Sequence, residues 1–287
     1  MACSVYTHTV NINGTEVPVF YPNNTLGQEH LEFILHEPKV AKYFKEITTD
    51  IVVRTVTIYK EIMFGKRLGF LFMQLEAIDR RSGKGIPGVV FLRGDAAACL
   101  LLLKNKDTRA LFMALVKQSR APAGKKVFEA PAGMLDDNTE NPTLTVAKEI
   151  TEETGTVVKS TGVKTDDPMD QVHYLESLGV PIQLSPGGTQ EQIFNFWYMV
   201  EMTTEEIAAL HGKRIVNEEE LALPSGADAS GADASGEAAA VTAVKTAEVI
   251  EVVVQEFTLN NVLLTGDAKL ICATAALMGK YPGFVPL

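Results

Sequence analysis

EAPAGMLDDNTENPTLTVAKEITEETGTVV, Glu129–Val158, is the stretch on which the reading of the whole chain turns. It predicts a Gly-bearing loop, a helix opened by Pro142 and a stop at Gly155. Proline suits the first helical turn, where its missing N–H has no intrahelical partner, and Asn141 ahead of it is a capping residue. Gly155 supplies the left-handed residue that ends a helix without Cβ strain. Inside the predicted helix Glu149, Glu152 and Glu153 stand at i, i+3 and i+4, so the three carboxylates are expected on one face, with Val146, Ala147 and Ile150 on the other.

Like charges at that spacing repel by a few tenths of a kcal/mol per pair, so the cluster does nothing for an isolated helix. Carboxylates and a nearby main-chain carbonyl are, however, the hard oxygen ligands that Mg2+ prefers, with waters and substrate phosphates completing its octahedron. Taken alone, the run EITEE reads as a solvated acidic face, as charge runs usually are.

The wider spacing gives it a sharper meaning. Gly133, six residues, Glu140, seven residues, then Lys148-Glu149-Ile150-x-Glu152-Glu153-x-Gly155 resembles the Nudix box, the signature of Mg2+-dependent hydrolases of nucleoside diphosphates linked to another group. Two departures stand out. The first spacing is one residue longer than the family pattern, and Lys148 occupies the place of an Arg. A guanidinium there would hold the glutamates through a bidentate fork that an ammonium cannot copy, so looser carboxylate alignment is expected.

Composition is compatible with such an enzyme. At 287 residues, 46% hydrophobic and 22% charged, the chain can build a sizeable core in one large or two modest domains. A net charge of −10 provides no strong positive field for a nucleic-acid polymer or an anionic membrane. Cys3, Cys99 and Cys272 are unclustered and read as reduced thiols of a cytoplasmic-type compartment. The five histidines show no ligand spacing, and neither a membrane span nor a secretory signal is expected.

Along the chain, alternation up to about Pro22 predicts a β-hairpin turning at Asn13-Gly14. Helical spacing runs from His30 to Glu46 with a break at Pro38. Strands and Gly-bearing turns follow, giving a β-rich N-terminal domain, 1–88. Residues 89–287 are expected to form the second domain. Its apolar runs VVFL, AAACLLLL and ALFMALV predict strands buried on both faces. Later strands are expected around Tyr174 and Ile182 and over Phe194 to Val200, and a closing helix over Leu264 to Met278, capped near Gly279. Residues 217–246, acidic and then SGADA-repetitive, predict a disordered insertion.

The resemblance extends beyond the box. FGKRLGFL (64–71), IPGVVFLRG (86–94), KQSRAPAG (117–124), FEAPAGMLDD (128–137) and SPGGTQEQ (185–192) are similar to blocks of the ADP-sugar pyrophosphatase branch of the Nudix superfamily, plant-type ADP-sugar enzymes and their UDP-sugar relatives among them. That likeness implies an α/β fold, a Nudix α/β/α sandwich with a mixed sheet. It implies Mg2+, with Mn2+ as a substitute, held by the Ala132 carbonyl, Glu149 and Glu153, and Glu152 supporting them or joining in. Glu191 falls where the branch has the loop acid that activates water or completes the metal site. Arg120, Gly133 and Met134 match substrate-contacting positions, and Phe70 is a candidate for stacking on the base. A homodimer is implied, with ADP-ribose or ADP-glucose cleaved to AMP and a sugar 1-phosphate. UDP-sugars, dinucleoside polyphosphates or a nucleotide-binding sensor without turnover are the alternatives.

Overall fold

The computed structural model describes residues 6–22, 26–135, 141–159, 161–179, 181–223, 242–282 and 284, with the side chains of residue 6, 217–223 and 242–248 excepted. Glu140 therefore lies outside the described residues, as do 224–241, the middle of the low-complexity segment. The chain forms two compact units, Met1–Phe91 with Val216–Glu248, and Leu92–Ile215 with Val249–Leu287. This division differs from the expected domains 1–88 and 89–287 at two places: Val89–Phe91, whose strand Val89–Leu92 pairs with the sheet of the first unit, and Val216–Glu248 both group with that unit.

In that unit β1 (Tyr6–Ile12) and β2 (Thr15–Tyr21) form the expected hairpin. Asn13 and Gly14 both take positive φ, 53° and 80°, the backbone that a two-residue turn needs to match strand twist. α1 (Gln28–His36) and α2 (Pro38–Glu46) are separated at Glu37, which is extended because a following proline excludes it from the helical region. β3 (Ile51–Phe64), β4 (Arg67–Asp79), β5 (Gly85–Ile86) and β6 (Val89–Leu92) complete a six-stranded sheet in the order β1-β2-β3-β4-β5, with β6 also on β4.

The second unit is built on β7 (Ala96–Asn105), in which every residue is buried. β8 (Leu111–Arg120), β9 (Lys125–Glu129) and β10 (Ala132–Met134) precede α3 (Pro142–Thr154). After it come β11 (Glu176–Ser177), β12 (Ile193–Met202), α4 (Thr204–Leu210), β13 (Arg214–Leu223), β14 (Thr242–Glu256), α5 (Leu259–Thr265) and α6 (Ala268–Lys280), with β13 from Val216 on and β14 up to Glu248 counted in the first unit. The sheet runs β11-β12-β7-β8-β14-β13, with β10 on β7 and β9 on β8; β12 is parallel to β7 and the other neighbours of β7 are antiparallel, so the sheet is mixed.

Period-two alternation along β7 sorts the core into two layers. Ala97, Cys99, Leu101 and Leu103 pack with Val146 and Ile150 of α3 and Ile207 and Leu210 of α4. Leu100 and Leu102 pack on the opposite face with Val262 of α5 and Leu270, Ala273 and Leu277 of α6. The unit is thus an α/β/α sandwich, and its run AAACLLLL is apolar throughout because both faces are covered.

Several elements depart from the sequence reading. Tyr174 is not in a strand: β11 is confined to Glu176–Ser177, and Ile182 makes an isolated bridge to Ile193. α4 was not foreseen, although Thr203 and Glu206 make a capping box that the sequence TTEE encodes. The closing helix is two helices. Gly266, at φ 68°, ends α5, and the Asp267 side chain caps α6 by accepting from the Lys269 N–H, while Gly279 lies inside α6. Strand bounds of β13 and β14 overlap both ends of the 217–246 segment. Cys99 is buried and Cys272 partly buried, both as free thiols.

Glu176 ties this unit together from a buried position. Its carboxylate accepts from Trp197 Nε1 at 2.8 Å, Gln171 Nε2 at 2.7 Å and the Tyr281 hydroxyl at 2.8 Å, and pairs with Lys280 at 2.8 Å and Lys164 at 3.1 Å. Burial pushes the carboxyl up, but the hydrogen bonds from Lys280, Gln171, Trp197 and Tyr281 outweigh it and move it from 4.5 down to about 2. A depressed acid contributes stability above its unfolded value and loses it as pH falls through the folded one. Glu176→Ala is expected to destabilise the protein by about 3 kcal/mol at pH 7, because lysine charges and buried donors lose their acceptor, and by progressively less as the pH is taken from 5 towards 2. Urea unfolding of both proteins at several pH values checks this; an undiminished difference at low pH would contradict it.

Candidate active site

The helix α3 is placed by its sequence as expected: Asn141 accepts from the Thr143 N–H, Pro142 occupies the first turn and Gly155 ends the helix at φ 74°. Val146 and Ile150 anchor its apolar face, which turns the edge bearing Glu149 and Glu153 toward β10. Glu153 is only 4% exposed, and its Oε2 accepts the Ala132 N–H at 3.0 Å. Glu149 is half-buried and lies across Gly133, where a Cβ would come within 2.0 Å of its Oε1 and 2.2 Å of its Cδ. Any side chain at 133 would push the Glu149 carboxylate out of this position.

The strand supplies the next donor. β10 pairs antiparallel with β7, Ala132 opposite Ala98 and Gly133 opposite Ala97. The Pro131 carbonyl accepts from the Cys99 N–H and the Leu135 N–H donates to the Asp95 carbonyl, so the odd residues make the ladder. By the alternation of an antiparallel pair, Ala132 turns both its polar groups away from β7, and its carbonyl shares the side of the N–H that Glu153 accepts. Two carboxylates and a carbonyl therefore surround one short peptide segment, 132–133. Such hard oxygen donors in a cradle that a Cβ would fill suit a divalent cation.

Glu152 stands apart from this pair. It is exposed and its nearest cationic partner is Lys148 at 3.8 Å, one turn back on the same helix. Helical geometry separates it from the buried edge because position 152 lies 100° of rotation from 153, on the solvent side. Of the three glutamates expected on one face, Glu149 and Glu153 meet residues 132–133 and Glu152 faces solvent. Among the described residues no group of three His, Cys, Asp or Glu side chains is close enough to share a metal ion.

Glu191 is 8% exposed, on the segment before β12, and its Oε1 lies 3.4 Å from Arg93 Nε. Burial raises its carboxyl above the ordinary range, opposed by the charges of Arg93 and Lys269. Asp95 links this segment to the box: its carboxylate accepts the Gln192 N–H at 3.1 Å and its carbonyl the Leu135 N–H at 2.8 Å.

Arg120 ends β8, half-buried, with Nε donating to Glu129 Oε2 at 2.8 Å. The other oxygen of Glu129 meets Lys269 at 3.2 Å, and Lys269 also pairs with Asp267 at 3.0 Å. Burial pushes the Glu129 carboxyl up, but Lys269 and Arg120 win and hold it below the ordinary value. Met134 is half-buried at the end of β10. Phe70 belongs to the first unit, its ring 5.0 Å from that of Phe64 and 5.1 Å from that of Phe91. Sequence reasoning did not find Arg93, Asp95, Glu129, Asp267 or Lys269. Asp267 alone left a signal, a capping acid after Gly266.

Comparison with known proteins accords with this geometry. Residues 92–231 match the NUDIX domain model, a span that holds β7 to β12, α3 and the Glu191 segment. The chain is also 38% identical over 165 residues to "Nudix hydrolase 14, chloroplastic" of Arabidopsis thaliana, across 57% of this chain and 51% of that protein, so it spans about half the length of that relative.

Proposed function

We propose that the protein hydrolyses the diphosphate of nucleoside diphosphate sugars, ADP-ribose or ADP-glucose, to AMP and a sugar phosphate, using Mg2+ or Mn2+. The observation that carries this reading is that Glu153 accepts the Ala132 N–H while Glu149 lies against the adjacent Gly133, so that two carboxylates meet one short segment inside the span that matches the NUDIX domain. A pyrophosphate repels nucleophiles by its own charge. Divalent cations supply the Lewis acidity and charge neutralisation that such a linkage requires.

The chain's own groups do the rest. Glu149 and Glu153 would hold the cation beside residues 132–133. Water adds to one phosphorus, the bridging P–O bond breaks, and the leaving phosphate carries the electron pair. Glu191 either takes the proton of that water or completes the metal donors, its buried carboxyl steadied by Arg93. Arg120 meets the substrate phosphates from the rigid hold of Glu129. Met134 and Gly133 line the approach, Phe70 is the candidate for base contact, and the working unit is a homodimer.

The test is a hydrolysis screen of ADP-ribose, ADP-glucose, UDP-glucose and a dinucleoside polyphosphate with Mg2+ or with EDTA, products identified by mass. AMP released with Mg2+ and abolished by EDTA is the expected result. UMP release would reassign the base; saturable binding without any product would make the protein a sensor.

A further inference from the structure

Around residues 129–132 the chain buries two charges, Lys269 and Asp267, that the chemistry above leaves without a task. Lys269, in the first turn of α6, has a side chain 13% exposed, and its Nζ bonds Asp267 Oδ1 at 3.0 Å and Glu129 Oε1 at 3.2 Å. The remaining oxygens of both acids are also engaged. Asp267 Oδ2 accepts the Ala130 N–H at 2.8 Å, and Glu129 Oε2 takes Arg120 Nε at 2.8 Å and Gln118 Nε2 at 3.3 Å. Burying such ions is a poor source of stability, and hydrophobic replacements of equal volume often do as well or better. Fixing one geometry is what the arrangement does that an apolar core does not.

What it fixes is the strand that bears the metal donors. Ala130 N–H is tied to α6 on one face of the sheet, Pro131 carbonyl to β7, and Ala132 N–H to α3 on the other face. Proline at 131 removes one backbone freedom between them. The same lysine, through Glu129, sets the position of the Arg120 guanidinium. We propose that Lys269, held by Asp267, is a positioning residue of the hydrolytic site, clamping the Ala130–Ala132 backbone and the Glu129–Arg120 pair from the layer opposite the glutamate helix. This inference rests on the hydrolase reading for its consequence and not for its geometry.

Lys269→Met, Lys269→Gln and Lys269→Arg decide it, each assayed for kcat and KM on ADP-ribose with Mg2+ and for amide hydrogen exchange at Ala130 and Ala132. Lys269→Met and Lys269→Gln are expected to lower kcat by ~10-fold or more, to raise KM where Arg120 is released, and to speed exchange of both amides by ~10-fold, while Lys269→Arg restores all three to within ~3-fold of the parent. If Lys269→Met does not fold by circular dichroism, the Gln and Arg variants carry the comparison. Unchanged kcat and exchange in the uncharged variants, or an arginine variant as impaired as the methionine one, overturns the proposal. Should the parent protein hydrolyse no nucleotide, the functional reading falls, and the exchange rates still decide whether the clamp exists.

Discussion

Glu153→Gln lowers turnover of a nucleoside diphosphate sugar by at least ~100-fold, with the fold intact, if the glutamate edge of α3 works as argued. The substitution is nearly isosteric, and the oxygen of the new amide still accepts from the Ala132 N–H that Glu153 now engages at 3.0 Å. What is lost is one negative charge at a site 4% exposed, where water does little to replace it. A cation that is bound more weakly neutralises the diphosphate less in the transition state, so the loss falls on kcat as well as on the Mg2+ requirement. Steady-state kinetics at saturating Mg2+ and circular dichroism measure both halves. Activity within ~3-fold of the parent would remove Glu153 from the chemistry.

Gly133→Ala is the second large effect, and it arises from space alone. Gly133 is not among the glycines at positive φ, so alanine can adopt the backbone there. Its methyl would lie 2.0 Å from Glu149 Oε1, 2.2 Å from Cδ and 2.7 Å from Cγ, closer than any real contact. The glutamate is the flexible partner and must swing aside, which relieves the clash at small cost to stability. Displacing a carboxylate proposed to hold the metal by an ångström or more is expected to reduce kcat by ~100-fold or beyond. The pattern to look for is a nearly unchanged melting temperature beside a collapsed rate. A variant of full activity would mean that Glu149 need not stand over residue 133.

The site was legible where its geometry is local. Helical spacing placed Glu149 and Glu153 one turn apart, Pro142 and Gly155 bounded α3, and the apolar run of β7 announced a strand covered on both faces. The exposure of Glu152 could not be read by the same local rule: an i+3 position borders the face that 149 and 153 share, and which side of that border faces solvent depends on where β10 packs. The charges from far along the chain could not be read at all. Arg93 meets Glu191 across 98 positions and Lys269 meets Glu129 across 140, and nothing in their immediate neighbours marks such pairings. Of the C-terminal elements, the capping acid Asp267 after Gly266 was the available sign that one long helix was two.

Secondary structure was weakest between α3 and β12. There the backbone is held by side chains instead of ladders: Lys159 and His173 meet the Tyr198 hydroxyl, at 3.0 and 2.9 Å, and Gln171 and Glu176 bond each other. His173 holds a positive φ of 58°, uncommon outside glycine, in a segment where β-propensity had predicted a strand near Tyr174. Such contacts follow from the finished fold and leave no periodic trace.

The central claim is that Glu149 and Glu153 hold a divalent cation against residues 132–133. Anomalous diffraction from crystals soaked with Mn2+ and a non-hydrolysable ADP-ribose analogue tests it directly. The account predicts a manganese peak within coordination distance of both carboxylates and the Ala132 carbonyl, with the diphosphate beside it. A bound nucleotide with both glutamates bare of metal would contradict it.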